Sequence, residues 1–218
     1  DLYLCRMKEK ADANVITRQY LLKSEALMDY YCKRSDNQAA IEKLQEAVRM
    51  TLPDYEECLK KDFPFTEQEI MNLMSLANAY AHAGDVDEAV YIFERLLQCL
   101  QKDYIFGKYA EHMKLIILRN LSVAYIEKRQ YHKAITLNEK CLNMAKENDE
   151  GKKLHILLSD RACILKKQNE CGQINRGELC MAEKYLKQAY LLACARRDNK
   201  MAGRLKEVYQ HMFEKDLN

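Results

Sequence analysis

Glycine and proline are scarce in this sequence. Only 6 of its 218 residues are Gly and 2 are Pro. Tight turns between β-strands draw heavily on these two residues, so their scarcity argues against a β-sandwich, a barrel or a Gly-rich nucleotide-binding α/β fold. The hydrophobic fraction of 48% and the charged fraction of 31% exclude a disordered chain. The composition therefore predicts a long all-α protein.

Sequence motifs of catalysis and metal binding are also missing. The chain contains no P-loop, no G-x-S-x-G and no H-E-x-x-H, and its five histidines are scattered. The nine cysteines include no C-x-x-C pair and no zinc-type partnership with histidine. We therefore predict that the protein is not an enzyme and needs no metal or cofactor. Dispersed cysteines are typical of reduced thiols and indicate a cytoplasmic location.

Neither strong net charge nor a long apolar run is present. The 35 basic and 33 acidic residues leave a net charge of +2, which gives no strong field for nucleic acid. No stretch approaches the roughly 18 apolar residues that span a bilayer. A basic cluster near the C-terminus consists of Arg196, Arg197, Lys200, Arg204 and Lys206. We interpret it as solvated cations near a helix end, and direct nucleic-acid binding is the weaker alternative.

Segments of helical periodicity fill the space between the few glycines and prolines. They predict helices at roughly 2–13, 15–33, 37–51, 53–61, 66–83, 86–103, 109–128, 131–148, 152–168, 178–196 and 199–215. Thr66 followed by Glu69 forms a capping box at the start of one of them.

Two neighbouring stretches repeat one pattern of apolar and small residues. In MSLANAYAHAGDVDEAVYIFERLL the pattern positions are Leu73, Leu76, Ala77, Tyr80, Ala89 and Phe93. In LRNLSVAYIEKRQYHKAITLNEKCL they are Leu118, Leu121, Ser122, Tyr125, Ala134 and Asn138. Small residues on both helices of a pair let the helices approach closely, and the larger side chains fill the groove between them.

This pattern resembles the tetratricopeptide (TPR) repeat. The resemblance implies an all-α fold, a right-handed α-solenoid of antiparallel helix pairs in one array over residues 1–218. We expect repeats at about 21–51, 70–100, 115–145 and 153–195, with a capping helix at 199–215. The second of the two best repeats departs from the family, because it has Asn138 in place of an aromatic residue and no turn glycine.

In TPR arrays the first helix of each pair builds the concave surface, so the resemblance places ligand contacts there. The contact residues it implies are Met74, Asn78, His82, Arg119, Asn120, Glu127, Asp160 and Lys167. Asn78 and Asn120 are the strongest candidates, because an amide side chain can hold an extended peptide backbone with both donors and an acceptor. Simple solvation is the alternative for the two asparagines, and core packing is the alternative for Met74.

The long repeats, the near-neutral charge and a start without Met together resemble a narrower group. This is the C-terminal TPR-like domain of Gram-positive helix-turn-helix regulators of the peptide-responsive RNPP type. The resemblance implies that the chain binds a short peptide or protein segment and forms a homodimer. It also implies no membrane contact, and DNA contact only through an N-terminal domain that precedes this chain. The alternative is a TPR scaffold for protein–protein interaction that is unrelated to transcription.

Overall fold

The computed structural model describes residues 14–31, 37–101, 107–147, 153–173 and 176–214. Every regular element in these ranges is a helix. The helices are α1 (Val15–Tyr31), α2 (Asn37–Arg49), α3 (Tyr55–Lys60), α4 (Glu67–Ala83), α5 (Val86–Gln101), α6 (Gly107–Glu127), α7 (Tyr131–Glu147), α8 (Leu154–Glu170), α9 (Arg176–Ala195) and α10 (Asn199–Phe213). The predicted helix at 2–13 lies outside the described residues. The other predicted helices are confirmed, with ends that differ by no more than about two residues.

The chain divides into two compact units, Asp1–Ala110 and Glu111–Asn218. In the first unit α1 packs on α2, α2 on α4 and α4 on α5, while the short α3 packs on α5. In the second unit α7 packs on α8, α8 on α9 and α9 on α10. The all-α, TPR-like solenoid architecture is therefore confirmed by helices that pack mainly against their neighbours along the chain.

Alanines set the close packing of the best-matching helix pair, α4 and α5. Ala77 and Ala89 have no exposed surface, and Phe93 is 1% exposed beside them. The hydroxyl of Tyr80 accepts a hydrogen bond of 2.7 Å from Nε2 of Gln45 on α2. The pattern residues therefore pack the pair internally and also connect it to the preceding pair.

Four helices end in the same turn. Residues in the left-handed region close α4, α6, α8 and α9, and they are Gly84 (φ 95°), Arg129 (φ 56°), Gly172 (φ 68°) and Arg197 (φ 59°). At each turn the residue's N–H donates to the carbonyl three positions earlier, and the next N–H donates to the carbonyl five positions before itself. This pairing is the Schellman motif, which satisfies carbonyls at a helix C-terminus. The turn of α6 therefore keeps its geometry without glycine.

The start of α4 shows the predicted capping box. The backbone N–H of Glu69 donates to Oγ1 of Thr66 at 3.3 Å, and Oε2 of Glu69 accepts from the backbone N–H of Thr66 at 2.8 Å. Two backbone N–H groups that the helix itself leaves unpaired thus each bond to a side chain.

Within the described ranges, every helix is too short or too polar to cross a membrane.

Candidate functional site

An ion pair joins the first helices of the second unit. Nε and Nη2 of Arg119 on α6 donate to Oδ2 and Oδ1 of Asp160 on α8, at 2.6 and 3.2 Å. Burial alone would lower the pKa of Arg119, but the charge and hydrogen bonds of Asp160 raise it above its ordinary value. The two-point geometry fixes both side chains. The structure thus brings together two predicted site residues and pairs them with each other.

A second ion pair lies further along the same two helices. Nζ of Lys167 is 3.1 Å from Oε1 of Glu127, and both side chains are about half exposed. Such a surface pair contributes little to the free energy of unfolding, roughly 0–1 kcal/mol. Both predicted site residues therefore lie on the surface, where a ligand could exchange for either partner. As ligand contacts, these charged residues remain a prediction.

Asn120 is the predicted site residue with unused hydrogen-bonding capacity in this unit. It follows Arg119 on α6 and is half-buried, and its amide has no hydrogen-bond partner among the residues that the structure describes. Val123, one turn along the same face, is 39% exposed. A free amide beside an exposed apolar side chain is the combination that an extended peptide can use. We call Asn120, Val123 and the Arg119–Asp160 pair the first-helix face of the second unit.

The first unit carries the remaining predicted residues on α4. Asn78 is half-buried and has no hydrogen-bond partner within the described ranges. Met71 is 41% exposed, and His82 is exposed while its carbonyl accepts from Nδ2 of Asn37 at 3.4 Å. Met74 is only 8% exposed because its position falls on the core side of α4, so it offers almost no surface to a ligand. Core packing, the alternative for Met74, is what the structure shows.

A buried lysine on α1 was missed by the sequence reasoning. Lys23 is 8% exposed, and its Nζ donates to the carbonyl of Met71 at 3.3 Å. Burial lowers its pKa below the ordinary 10.5. Nothing in the local sequence distinguishes it from solvated lysines on other helices, because its burial depends on the packing of α1 against α4.

The structure also contains a cavity that no sequence motif predicts. It has a volume of about 700 Å³ and lies wholly within the second unit, between α7, α8 and α9. Its lining consists of Glu139, Leu142, Asn143, Lys146, Leu154, Leu158, Arg161, Tyr185, Gln188, Leu191, Leu192 and Ala195. None of the predicted contact residues lies in this lining, so the cavity and the first-helix face are separate features.

Burial affects two thiols near the first-helix face. Burial raises the pKa of Cys141 to about 12 and that of Cys163 to about 11, so both stay protonated near neutral pH. A protonated thiol is a poor nucleophile and a poor metal ligand. In the part of the chain that the structure describes, no three His, Cys, Asp or Glu side chains gather as a metal site would require.

Comparison with known proteins identifies the repeats. Residues 68–147 match the family model of the tetratricopeptide repeat. Bacillus thuringiensis PlcR, whose crystal structure is in complex with the peptide PapR7 and DNA, matches with a TM-score of 0.71 at 16% identity. That match covers 93% of this chain and 65% of PlcR, so the chain spans about two thirds of that protein. Comparison with curated proteins finds no match.

Two further solved structures share the architecture. Nearly identical TPR-like repeats from Podosopora anserina match at a TM-score of 0.53 and 15% identity, over 93% of this chain and all of that one. BtubC from P. vanneervenii matches at 0.52 and 16%, over 96% of this chain and 86% of that one. Residues 68–147 thus match tetratricopeptide repeats, and the chain as a whole has a TPR-like fold. At 16% identity the likeness to PlcR shows the fold alone.

Proposed function

We propose that this chain is a non-catalytic binding domain that holds a peptide or protein segment on the first-helix face of the second unit. The observation that carries the proposal is the unpaired amide of Asn120 beside the Arg119–Asp160 ion pair. An extended segment has a free backbone donor and acceptor at alternate residues, and one amide side chain can bond both. Val123 supplies an apolar contact next to that amide.

The ion pair has a supporting part in this proposal. By bridging α6 and α8, Arg119 and Asp160 hold two neighbouring first helices together while Asn120 keeps its donors and acceptor free. Preorganisation of this kind lowers the entropy lost on binding. In the first unit Asn78 and the exposed Met71 offer the same chemistry on α4, with His82 one turn beyond Asn78. We propose these three as contacts of that unit.

The likeness to PlcR supports a finer proposal about role. We propose that the domain serves a cytoplasmic, homodimeric transcriptional regulator, in which the bound segment favours one conformation of the TPR array. DNA contact would belong to a segment outside this chain. A helix-turn-helix encoded directly upstream of Asp1 is the expected finding. Its absence would overturn the regulator and leave the alternative, a TPR scaffold for protein–protein interaction.

Peptide selection tests the binding proposal directly. Short linear peptides would be selected from a phage-displayed library on the full chain, and the affinities of the winners measured by calorimetry. We expect Asn120→Ala to weaken binding by about 1–3 kcal/mol, because a buried peptide group loses its hydrogen bonds. Asn199→Ala, an exposed asparagine on α10 outside both the first-helix face and the cavity lining, is the matched control and should bind as the unaltered chain does. Equal affinity for a folded Asn120→Ala variant would contradict the proposal.

A further inference from the structure

Helix α8 presents two opposite faces to two different surroundings. Leu154, Leu158 and Arg161 recur every three to four residues and line the cavity between α7 and α9. Asp160 and Lys167 lie roughly 100–180° further around the helix and bond to α6. A ligand in the cavity would therefore not occupy the first-helix face, so binding there is independent of the proposed function.

The cavity has the size and lining of a small-molecule site. Its volume of about 700 Å³ falls in the range of roughly 300–1,000 Å³ that is common for such sites. Half of its lining residues are leucine or tyrosine, namely Leu142, Leu154, Leu158, Tyr185, Leu191 and Leu192, and Ala195 is also apolar. Leu191 is 64% exposed, which places an apolar side chain at the mouth. A ligand that fills this cavity must have a mainly apolar body.

Arg161 is the polar group that sets the charge of the ligand. Its Nη1 donates to the carbonyl of Ile135 on α7 at 3.0 Å, which orients the guanidinium. Its Nε is buried without a hydrogen-bond partner, and no carboxylate pairs with the group in the described ranges. Of the other two charged lining residues, Lys146 adds a positive charge and Glu139 a negative one, so the lining is positive overall.

We propose that this cavity binds a small amphipathic carboxylate, such as a fatty acid of medium chain length. The apolar chain lies along the leucines, and the carboxylate accepts hydrogen bonds from Arg161. The carboxylate can accept charge-assisted hydrogen bonds from Nη2 of Arg161, which has no hydrogen-bond partner in the described residues and, unlike Nε, is not fully buried. The pairing also places the anion where the lining is positive.

Calorimetry of the full chain with three probes that carry a ten-carbon chain tests the charge of the ligand. Decanoate, decanol and decyltrimethylammonium share an apolar chain and differ in head group. We expect decanoate to bind at least about fivefold more tightly than decanol, because it alone brings a negative charge to Arg161, and the cationic probe to bind most weakly. Equal affinities, or no binding of decanoate, would overturn the proposal.

Two substitutions at the exposed Leu191 locate the site without disturbing the core. Leu191→Asp and Leu191→Lys remove the same apolar group and introduce opposite charges at the mouth. We expect decanoate to bind the lysine variant at least about fivefold more tightly than the aspartate variant, and decanol to bind the two variants with equal affinity.

Arg161→Gln should abolish the preference for decanoate over decanol, whereas Arg204→Gln on α10, the matched control, should preserve it. A preference that survives Arg161→Gln, or indifference of decanoate to the charge at Leu191, would contradict the assignment.

Discussion

The repeats α4–α5 and α6–α7 share one architecture but hold it together with different chemistry. In α4–α5 the pattern positions carry Ala77 and Phe93, both fully buried and apolar. In α6–α7 the equivalent positions carry Ser122 and Asn138, equally buried and polar. Oγ of Ser122 donates to the carbonyl of Ala134 at 2.8 Å, and Nδ2 of Asn138 donates to the carbonyl of Leu157 at 3.0 Å.

The difference shows that a TPR pattern position can be occupied in two ways. An aromatic side chain fills the groove with apolar surface, whereas Asn138 fills it with an amide that bonds the backbone of the next helix, α8. The amide leaves its Oδ1 buried without a partner in the described residues, which is a cost that Phe93 does not carry. In the α6–α7 repeat, the hydrogen bond of Asn138 thus connects the repeat to α8, and the unpaired Oδ1 lowers the free energy of unfolding.

The largest effect is expected at Phe93. Phe93→Ala removes a fully buried ring and leaves a cavity, so we expect the free energy of unfolding to fall by about 3–5 kcal/mol. Phe93→Leu, which keeps most of the volume, should cost less than half of that. Denaturant titration followed by circular dichroism measures both. A loss below about 1 kcal/mol for the alanine variant would show that the ring does not hold α4 and α5 together.

A smaller loss is expected at Asn138. Asn138→Ala removes the hydrogen bond to the carbonyl of Leu157, and we expect a loss of about 1–3 kcal/mol. Asn138→Leu restores apolar volume and removes the unpaired Oδ1, so it should be less destabilising than the alanine variant. The same titration compares the two. If the leucine variant proves the less stable, the amide contributes more than apolar filling does.

The turns of the two repeats should respond with opposite signs. Arg129→Gly relieves a left-handed conformation at φ 56°, and we expect a gain of about 1 kcal/mol. Gly84→Ala imposes a side chain at φ 95°, with open space around the added methyl, and should cost about 1 kcal/mol. Thermal unfolding of both variants checks the pair. Changes of the same sign would contradict a shared turn geometry.

The smallest effect is expected in the pH dependence of the free energy of unfolding, and it originates at His155 in the second unit. Burial and the charge of Arg196 lower the pKa of the 4% exposed His155, and Asp198 opposes them. Below the ordinary value of 6.5 the unfolded chain takes up the proton first, so stability should fall as the pH falls from 6.5 towards the lowered pKa. His155→Leu should flatten this dependence between roughly pH 5 and 7, and the exposed His132→Gln should leave it unchanged. An unaltered slope in His155→Leu would remove His155 as its source.

Much of the fold could be predicted because its signals are local. Gly84 and Gly172 lie at helix ends, the capping box of Thr66 begins α4, and the paired alanines Ala77 and Ala89 are fully buried. The turns at Arg129 and Arg197 could not be predicted in this way, because arginine has no preference for a left-handed conformation. Its geometry is imposed by the Schellman hydrogen bonds around it.

The candidate site was less accessible to sequence reasoning, because it depends on contacts between distant residues. On α4, His82 is exposed whereas Met74 is buried, because each position along a helix turns the side chain by about 100°. As a ligand contact, His82 remains a prediction. The pairing of Arg119 with Asp160 joins residues 41 positions apart. The cavity is lined by side chains from three helices, so the spacing of residues within any one helix does not predict it.

Chemical-shift mapping with a selected peptide is the most direct test of the binding proposal. The chain labelled with ¹⁵N would be titrated with that peptide, and the backbone and Asn side-chain amide signals followed. We predict that the largest shifts occur at Asn120, its side-chain amide included, and at Val123. Shifts confined to the cavity lining, at Leu142 and Leu191 for example, would contradict binding on the first-helix face.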